Sequence, residues 1–185
     1  AENLKTTKFK NGDLITNVTG DAAWVALTGP AYCWYNNDES TYKPLYGALY
    51  NWFAASSDNL CPEGWHVPTN AEFETLEVFL GMTADQASEW EWRGTDQGSK
   101  MKNTTGWGTT GNGTNSSGFS ALPGGYRFYG NGSFNLAGTL GYWWSSSEDG
   151  GAGIYRMLQN DHDDVYKLGT TKTAGKSIRC VKDTK

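Results

Sequence analysis

The chain contains only two histidines, His66 and His162, so histidine-based acid–base chemistry near neutral pH must run through one of them. His66 lies in Gly64-Trp65-His66-Val67-Pro68, which reads as a short strand, where a hydrogen-bonded structural histidine is expected. His162 could be combined with the serines of 145–147 into a Ser-His-Asp set, yet the G-x-S-x-G turn that presents a serine nucleophile is missing. Trp144-Ser145-Ser146-Ser147 is better read as a strand whose small residues pack beside a bulky ring. The Gly-rich stretch 106–113 lacks the Lys-Ser/Thr ending of a phosphate loop. Asn160-Asp161-His162-Asp163-Asp164 is the most charged short segment, and carboxylates so spaced can bind Ca²⁺. The downstream Glu and the Gly of an EF-hand loop are absent, and a solvated hairpin turn is the simpler reading. No catalytic residue, bound metal or other cofactor is therefore expected, and the chain reads as a non-enzyme.

Composition narrows the class further. Aromatic residues make up 14 % of the chain and 24 residues are Gly, while only 19 % are charged. Many tight turns around large flat side chains suit loop-rich β structure rather than a helical bundle. A net charge of -5 argues against a nucleic-acid partner, which needs a basic stripe. No apolar run approaches the roughly 20 residues of a membrane span, and no signal peptide is evident, so a secreted origin implies a mature or trimmed chain. Three cysteines, Cys33, Cys61 and Cys180, form no CxxC pair, which disfavours a zinc ribbon. By count they leave open one disulfide with an odd thiol or three buried thiols. The Asn-x-Ser/Thr triplets at Asn17, Asn103, Asn112, Asn115 and Asn131 are accounted for by Asn-rich turns.

The elements that would position these groups follow from periodicity. Residues 1–30 read as extended and turn-rich. Apolar residues at 46, 49, 50 and 53 predict a short amphipathic helix over 46–55. Thr69-Asn70-Ala71-Glu72 is a capping box, followed by Phe73, Leu76, Phe79 and Leu80 as a buried stripe and by Gly81, which predicts a helix over 69–80. The stretch 94–118 has no period and reads as a long loop. Short strands are expected at 119–122, 125–129, 142–146, 154–158, 165–168 and 177–181. Helices followed by a run of antiparallel strands give an α+β fold in a single domain, 1–185, without internal repeats.

Several segments in order carry a resemblance: Ala31-Tyr32-Cys33-Trp34-Tyr35-Asn36-Asn37-Asp38-Glu39, Tyr46-Gly47-Ala48-Leu49-Tyr50-Asn51-Trp52, Leu60-Cys61-Pro62-Glu63-Gly64-Trp65-His66-Val67-Pro68-Thr69, Trp92-Arg93-Gly94-Thr95, Gly118-Phe119-Ser120-Ala121-Leu122-Pro123-Gly124-Gly125-Tyr126-Arg127, Trp143-Trp144-Ser145-Ser146 and Ser177-Ile178-Arg179-Cys180-Val181-Lys182-Asp183. Together they resemble the Fibrobacter major paralogous domain, found in secreted and surface proteins of Bacteroidetes and Fibrobacter. The resemblance implies a C-type-lectin-like fold, with two short helices and a twisted antiparallel sheet carrying long loops. It also implies a Cys61–Cys180 disulfide, with Cys33 left free or buried. Such a bridge closes a loop of about 120 residues, worth roughly 4–5 kcal/mol by loop entropy. The reactive cysteine pair of formylglycine-generating relatives is then lacking, as are the Glu-Pro-Asn and Trp-Asn-Asp sequences of Ca²⁺-dependent lectins.

By the same resemblance, Trp143, Tyr155, Arg156, Asn160, Asp161 and His162 fall in the strand-and-loop region that forms the ligand face. Rings with amides, acids and Arg nearby are a standard means of holding sugars. The expected function is an extracellular binding or adhesion module for a glycan or a surface protein. Family members usually begin with a further strand pair before the Ala1-Glu2-Asn3-Leu4-Lys5 stretch. Its absence implies an open sheet edge, hence a second reading as an assembly subunit of a surface fibre or multidomain surface protein, completed by strand donation.

Overall fold

Asp38, Asn51, Thr69 and Thr83 each accept a hydrogen bond from the backbone N–H three residues on, and each starts a helix. The computed structural model describes residues 2–184. Its helices are α1 Asp21–Val25, α2 Glu39–Tyr46, α3 Trp52–Ala55, α4 Asn70–Phe79, α5 Ala84–Ser88 and α6 Gln97–Met101. The first five strands are β1 Thr16–Asn17, β2 Ala31–Cys33, β3 Leu49–Tyr50, β4 Trp65–His66 and β5 Glu91–Arg93. The remaining strands are β6 Gly124–Arg127, β7 Phe134–Ala137, β8 Leu140–Asp149, β9 Ala152–Gln159, β10 Val165–Thr170 and β11 Val181–Lys182.

A six-stranded sheet in the order β5-β10-β9-β8-β6-β7 forms the centre, beside a β1-β2-β3 sheet and a β4-β11 pair. Pairing is antiparallel except between β1 and β2 and at the β6–β8 contact. The fold is α+β.

Two sequence expectations about the helices need correction. The helix over 46–55 is broken: α2 ends at Gly47, at φ 73, Leu49 and Tyr50 pair with Cys33 and Tyr32, and α3 then starts from Asn51. A Cβ at Gly47 would stand 2.7 Å from the Leu4 carbonyl oxygen, so close approach of the N-terminal segment sets the break. With this split the described residues hold six α-helices, not two. In α4, the Thr69–Glu72 capping box forms as expected, but Phe79 is 82 % exposed and Glu77 is buried. The core-facing positions are Asn70, Phe73, Glu77 and Leu80, and a carboxylate stands where the apolar stripe was expected.

That carboxylate answers the sheet. Side chains alternate along a strand, and the register sets Trp143, Arg156 and Lys167 in one row across β8, β9 and β10. Arg93 shares their face, opposite Val165. Glu77 Oε1 accepts from Arg156 Nε at 2.7 Å and Oε2 accepts from Arg93 Nη2 at 2.6 Å. Lys167 Nζ donates to the carbonyls of Ala87 and Ser88 and to Glu74. Buried charges persist when each is paired in this way.

The strands expected at 119–122 and 177–181 are single bridges, at Ala121 and at Ser177, with β11 only at the end of the latter. The long loop over 94–118 contains α6 and is folded around Trp107, whose indole N–H donates to the Ala121 carbonyl at 2.8 Å. Cys61 and Cys180 are bonded as the resemblance implied. Cys33 is a buried free thiol, pushed up to about 12 by burial. Near the N-terminus, the Leu4 N–H donates to the Ile178 carbonyl and the Leu4 carbonyl accepts from the Ala48 N–H.

Replacing Glu77 with Ala leaves two buried guanidiniums without their carboxylate and should cost about 3–5 kcal/mol in urea unfolding. A loss below about 1 kcal/mol would show that the network is not what holds α4. The Cys61→Ser/Cys180→Ser double variant should lose about 4–5 kcal/mol under guanidinium, and an unchanged midpoint would contradict this.

Candidate ligand-binding face

Of the residues the sequence placed at a ligand face, Trp143 and Arg156 are wholly buried on the helix-facing side. Trp143 donates its indole N–H to Asn3 Oδ1 at 2.9 Å, and Arg156 is held by Glu77 and by Asn70 Oδ1 at 2.9 Å. They cannot meet a surface ligand, because both lie in the row sealed beneath α4. Tyr155 is one residue out of phase with Arg156 and points to the other face. The turn Asn160-Asp161-His162 is held from inside by Lys102, whose ammonium donates to the carbonyls of Gln159 and His162 at 3.2 and 2.7 Å. Asp161 is exposed, while Asn160 and His162 are half-buried.

The other face carries a continuous run of rings, one from each of five adjacent strands. Tyr126 of β6 lies 4.9 Å from Tyr142 of β8, which lies 5.7 Å from Tyr155 of β9. Tyr155 is 6.5 Å from Tyr166 of β10, and Tyr166 is 5.1 Å from Trp92 of β5. His162 stacks on Trp92 at 3.8 Å and 10° and ends the run. Four inter-strand steps give a length of about 19 Å. Sequence reasoning found only Tyr155 and His162 of this strip. Tyr126, Tyr142, Tyr166 and Trp92 each occupy an alternating strand position, but their alignment depends on strand order.

Tyr142 and Tyr155 are 8 % exposed, whereas Tyr126, Tyr166, Trp92 and His162 are half-buried. Among the described residues, the fully enclosed side-chain polar atoms without a partner are Trp24 Nε1, Trp34 Nε1 and Arg179 Nη1. The four tyrosine hydroxyls of the strip make no hydrogen bond within the described residues and are not among those enclosed atoms, so they reach solvent. Burial raises the Tyr142 and Tyr155 phenols well above their ordinary range, and these hydroxyls stay neutral donors.

At one end of the strip stands a group that the sequence did not reveal. Lys176 is 3 % exposed, and its Nζ lies 4.0 Å from the Tyr155 ring centroid and 4.4 Å from that of Tyr142. Trp144 and Tyr126 follow at 5.0 and 5.4 Å. Nζ has no hydrogen bond or ion pair among the described residues, and burial alone pulls the ammonium down to about 7. No pattern in Gly175-Lys176-Ser177 marks it, since a lysine after a glycine reads as a solvated turn.

A family model of the Fibrobacter succinogenes major domain matches residues 1–182. The chain belongs to the Fibrobacter succinogenes major domain family. Neither a curated protein nor a solved structure matches it.

Elsewhere in this Fibrobacter major domain the titratable groups are held in local contacts. His66 has a carboxylate on each ring nitrogen, Asp183 at 2.6 Å and Glu72 at 2.8 Å. Asp183 first and Glu72 second raise its pKa against the opposing effect of burial. Ser145 and Ser146 donate to the carbonyls of Ile154 and Val67, and Ser147 Oγ accepts from the Asn70 N–H. In the acidic turn, Asp161 accepts from Gln159, Asp164 pairs with His162, and Asp163 lies 3.7 Å from Lys102 Nζ. Among the described residues no group of three or more His, Cys, Asp or Glu side chains is arranged to hold a metal ion.

Lys176 also gives a stability test. Below about 7 the folded and unfolded chains both carry the charge, and the burial cost is fully present. Above that value the folded chain loses the proton, which the unfolded chain keeps to about 10, so stability rises with pH across this window. Lys176→Met removes the cost, so the stability gap between variant and wild type should shrink from pH 6.5 to pH 9 in urea melts. A gap independent of pH would show that the ammonium is not desolvated.

Proposed function

We propose that this domain is a non-catalytic binding module that holds an oligosaccharide along the Tyr126–Tyr142–Tyr155–Tyr166–Trp92–His162 strip. The observation that carries the reading is a row of rings whose tyrosine hydroxyls reach solvent without partners among the described residues. Ring surfaces pack against the apolar faces of sugars, while phenol and imidazole groups exchange hydrogen bonds with sugar hydroxyls. A strip of about 19 Å suits a chain of sugars rather than one ring. The strand-and-loop location agrees with a C-type-lectin-like domain, and the Cys61–Cys180 bridge agrees with display outside the cell.

A non-catalytic role is supported by the histidines. His66 is clasped between two carboxylates, and His162 is stacked on Trp92. Strand donation has less support. Leu4 is bonded on both sides, and the central sheet's edge strands β5 and β7 have three and four residues, the latter with Leu136 at φ 64.

A glycan array probed with wild type, Trp92→Ala and Tyr166→Ala tests this reading. Both variants should stay folded, since each removes a half-buried ring, and should bind the recognised glycans at least tenfold more weakly, or about 1.4 kcal/mol. Unchanged binding in both variants, or an array on which wild type binds nothing, would sink it.

A further inference from the structure

Resting on the glycan-binding reading, we infer that the Tyr126–Tyr155 end of the strip accepts an acidic sugar, whose anionic group docks on the Lys176 ammonium. Among the described residues Lys176 is the one buried cation in contact with the strip, and none of them neutralises it. The groups packed around it are Tyr126 from β6, Tyr142 and Trp144 from β8, Tyr155 from β9, and the Tyr50 backbone of β3, which exchanges hydrogen bonds with the Lys176 backbone. None of these is acidic, and desolvation is the only influence on its titration.

The comparison with the other buried lysines is direct. Lys102 and Lys167 are enclosed to the same degree, yet each donates to two backbone carbonyls and has a carboxylate within reach. Lys176 has only ring faces, which attract a cation but leave its three N–H donors without acceptors. Its Nζ is not among the fully enclosed unpaired atoms, so it keeps a little solvent contact. A methionine would fill the same space without the cost of desolvating a charge. An entering carboxylate or sulfate would complete charge-assisted hydrogen bonds from Nζ.

The opposite end has the opposite character. Burial first and the charge of Glu91 second raise the Tyr166 phenol, and Asp164 pairs with His162. The strip is therefore polarised, with its cation at the Tyr126–Tyr155 end and its acids at the Trp92–His162 end. The net charge of -5 does not oppose this, because distant surface charges are screened beyond about 8 Å at physiological salt.

Two matched pairs of polysaccharides test the inference, and they separate carboxylate from sulfate. These are polygalacturonate with its methyl ester, and dextran sulfate with dextran. Binding to the intact domain is measured at pH 6 and pH 8.5 for wild type and Lys176→Met. The charged member of at least one pair should bind wild type at least tenfold more tightly than its neutral partner at pH 6. That preference should collapse in Lys176→Met and at pH 8.5. Which pair shows it identifies the anion.

Equal binding of charged and neutral members overturns the inference and leaves the glycan strip standing. A preference that survives in Lys176→Met overturns it too, because the anion is then read elsewhere. Failure of all four polymers to bind likewise overturns it, and the array with Trp92→Ala and Tyr166→Ala separately judges the strip. A thermal melt of Lys176→Met at or above the wild-type temperature shows that loss of preference is not loss of fold.

Discussion

One carboxylate, Glu77, holds two guanidiniums inside this protein, and the two faces of the central sheet follow from it. Arg93 and Arg156 come from strands separated by β10, and neither could be buried without an anion between them. Glu77 is placed there by the phase of α4, which its capping box starts at Thr69. Arg156 completes its environment with Asn70 and the Phe73 ring, both on the same helix face. Once α4 lies on this row, the alternate residues of the same strands are committed to the opposite side.

On that opposite side, Trp144 is covered by the β2–β3 layer, where its indole N–H reaches the Tyr50 carbonyl at 2.9 Å. The rings from Tyr126 to Trp92 extend along the same face and keep their hydroxyls or edges in water. A closed charged face thus leaves an aromatic one partly open. The strip is a by-product of strand alternation and of the short reach of the covering layer.

Buried cations also organise the loops. Arg127 donates to the carbonyls of Val18, Thr19 and Gly132 and to Asp21, between the rings of Trp24 and Phe134. Lys102 closes the 159–162 turn in the same manner. Glycines let these backbones come close: a Cβ at Gly175 would stand 2.9 Å from the Arg127 Cβ and from the Trp24 ring. A chain with so few long elements secures its irregular backbone by bringing cations to carbonyls rather than by enlarging its apolar core. Lys176 departs from this rule, which is why it points to something outside the chain.

Local chemistry made part of this legible beforehand. The Thr69 capping box, the strands around Trp144, Tyr155 and Tyr166, and the family motifs that tie Cys61 to Cys180 are properties of neighbouring residues or of an ordered motif set. The alternation of Ile154 and Arg156 against Tyr155 and Met157 was also readable, because it needs only a strand. Which of those faces is closed was not. That depends on Glu77, an acid at a helix position that periodicity assigns to the core but charge assigns to solvent. The break at Gly47 was hidden for a similar reason, since it is imposed by the approach of Leu4 from far away in the chain. Trp143 and Arg156 looked like contact residues because ring and guanidinium chemistry is the same in a core as at a surface. The strip and the isolated ammonium of Lys176 exist only after five strands have taken a non-sequential order, and pairing across that order is decided by tertiary packing.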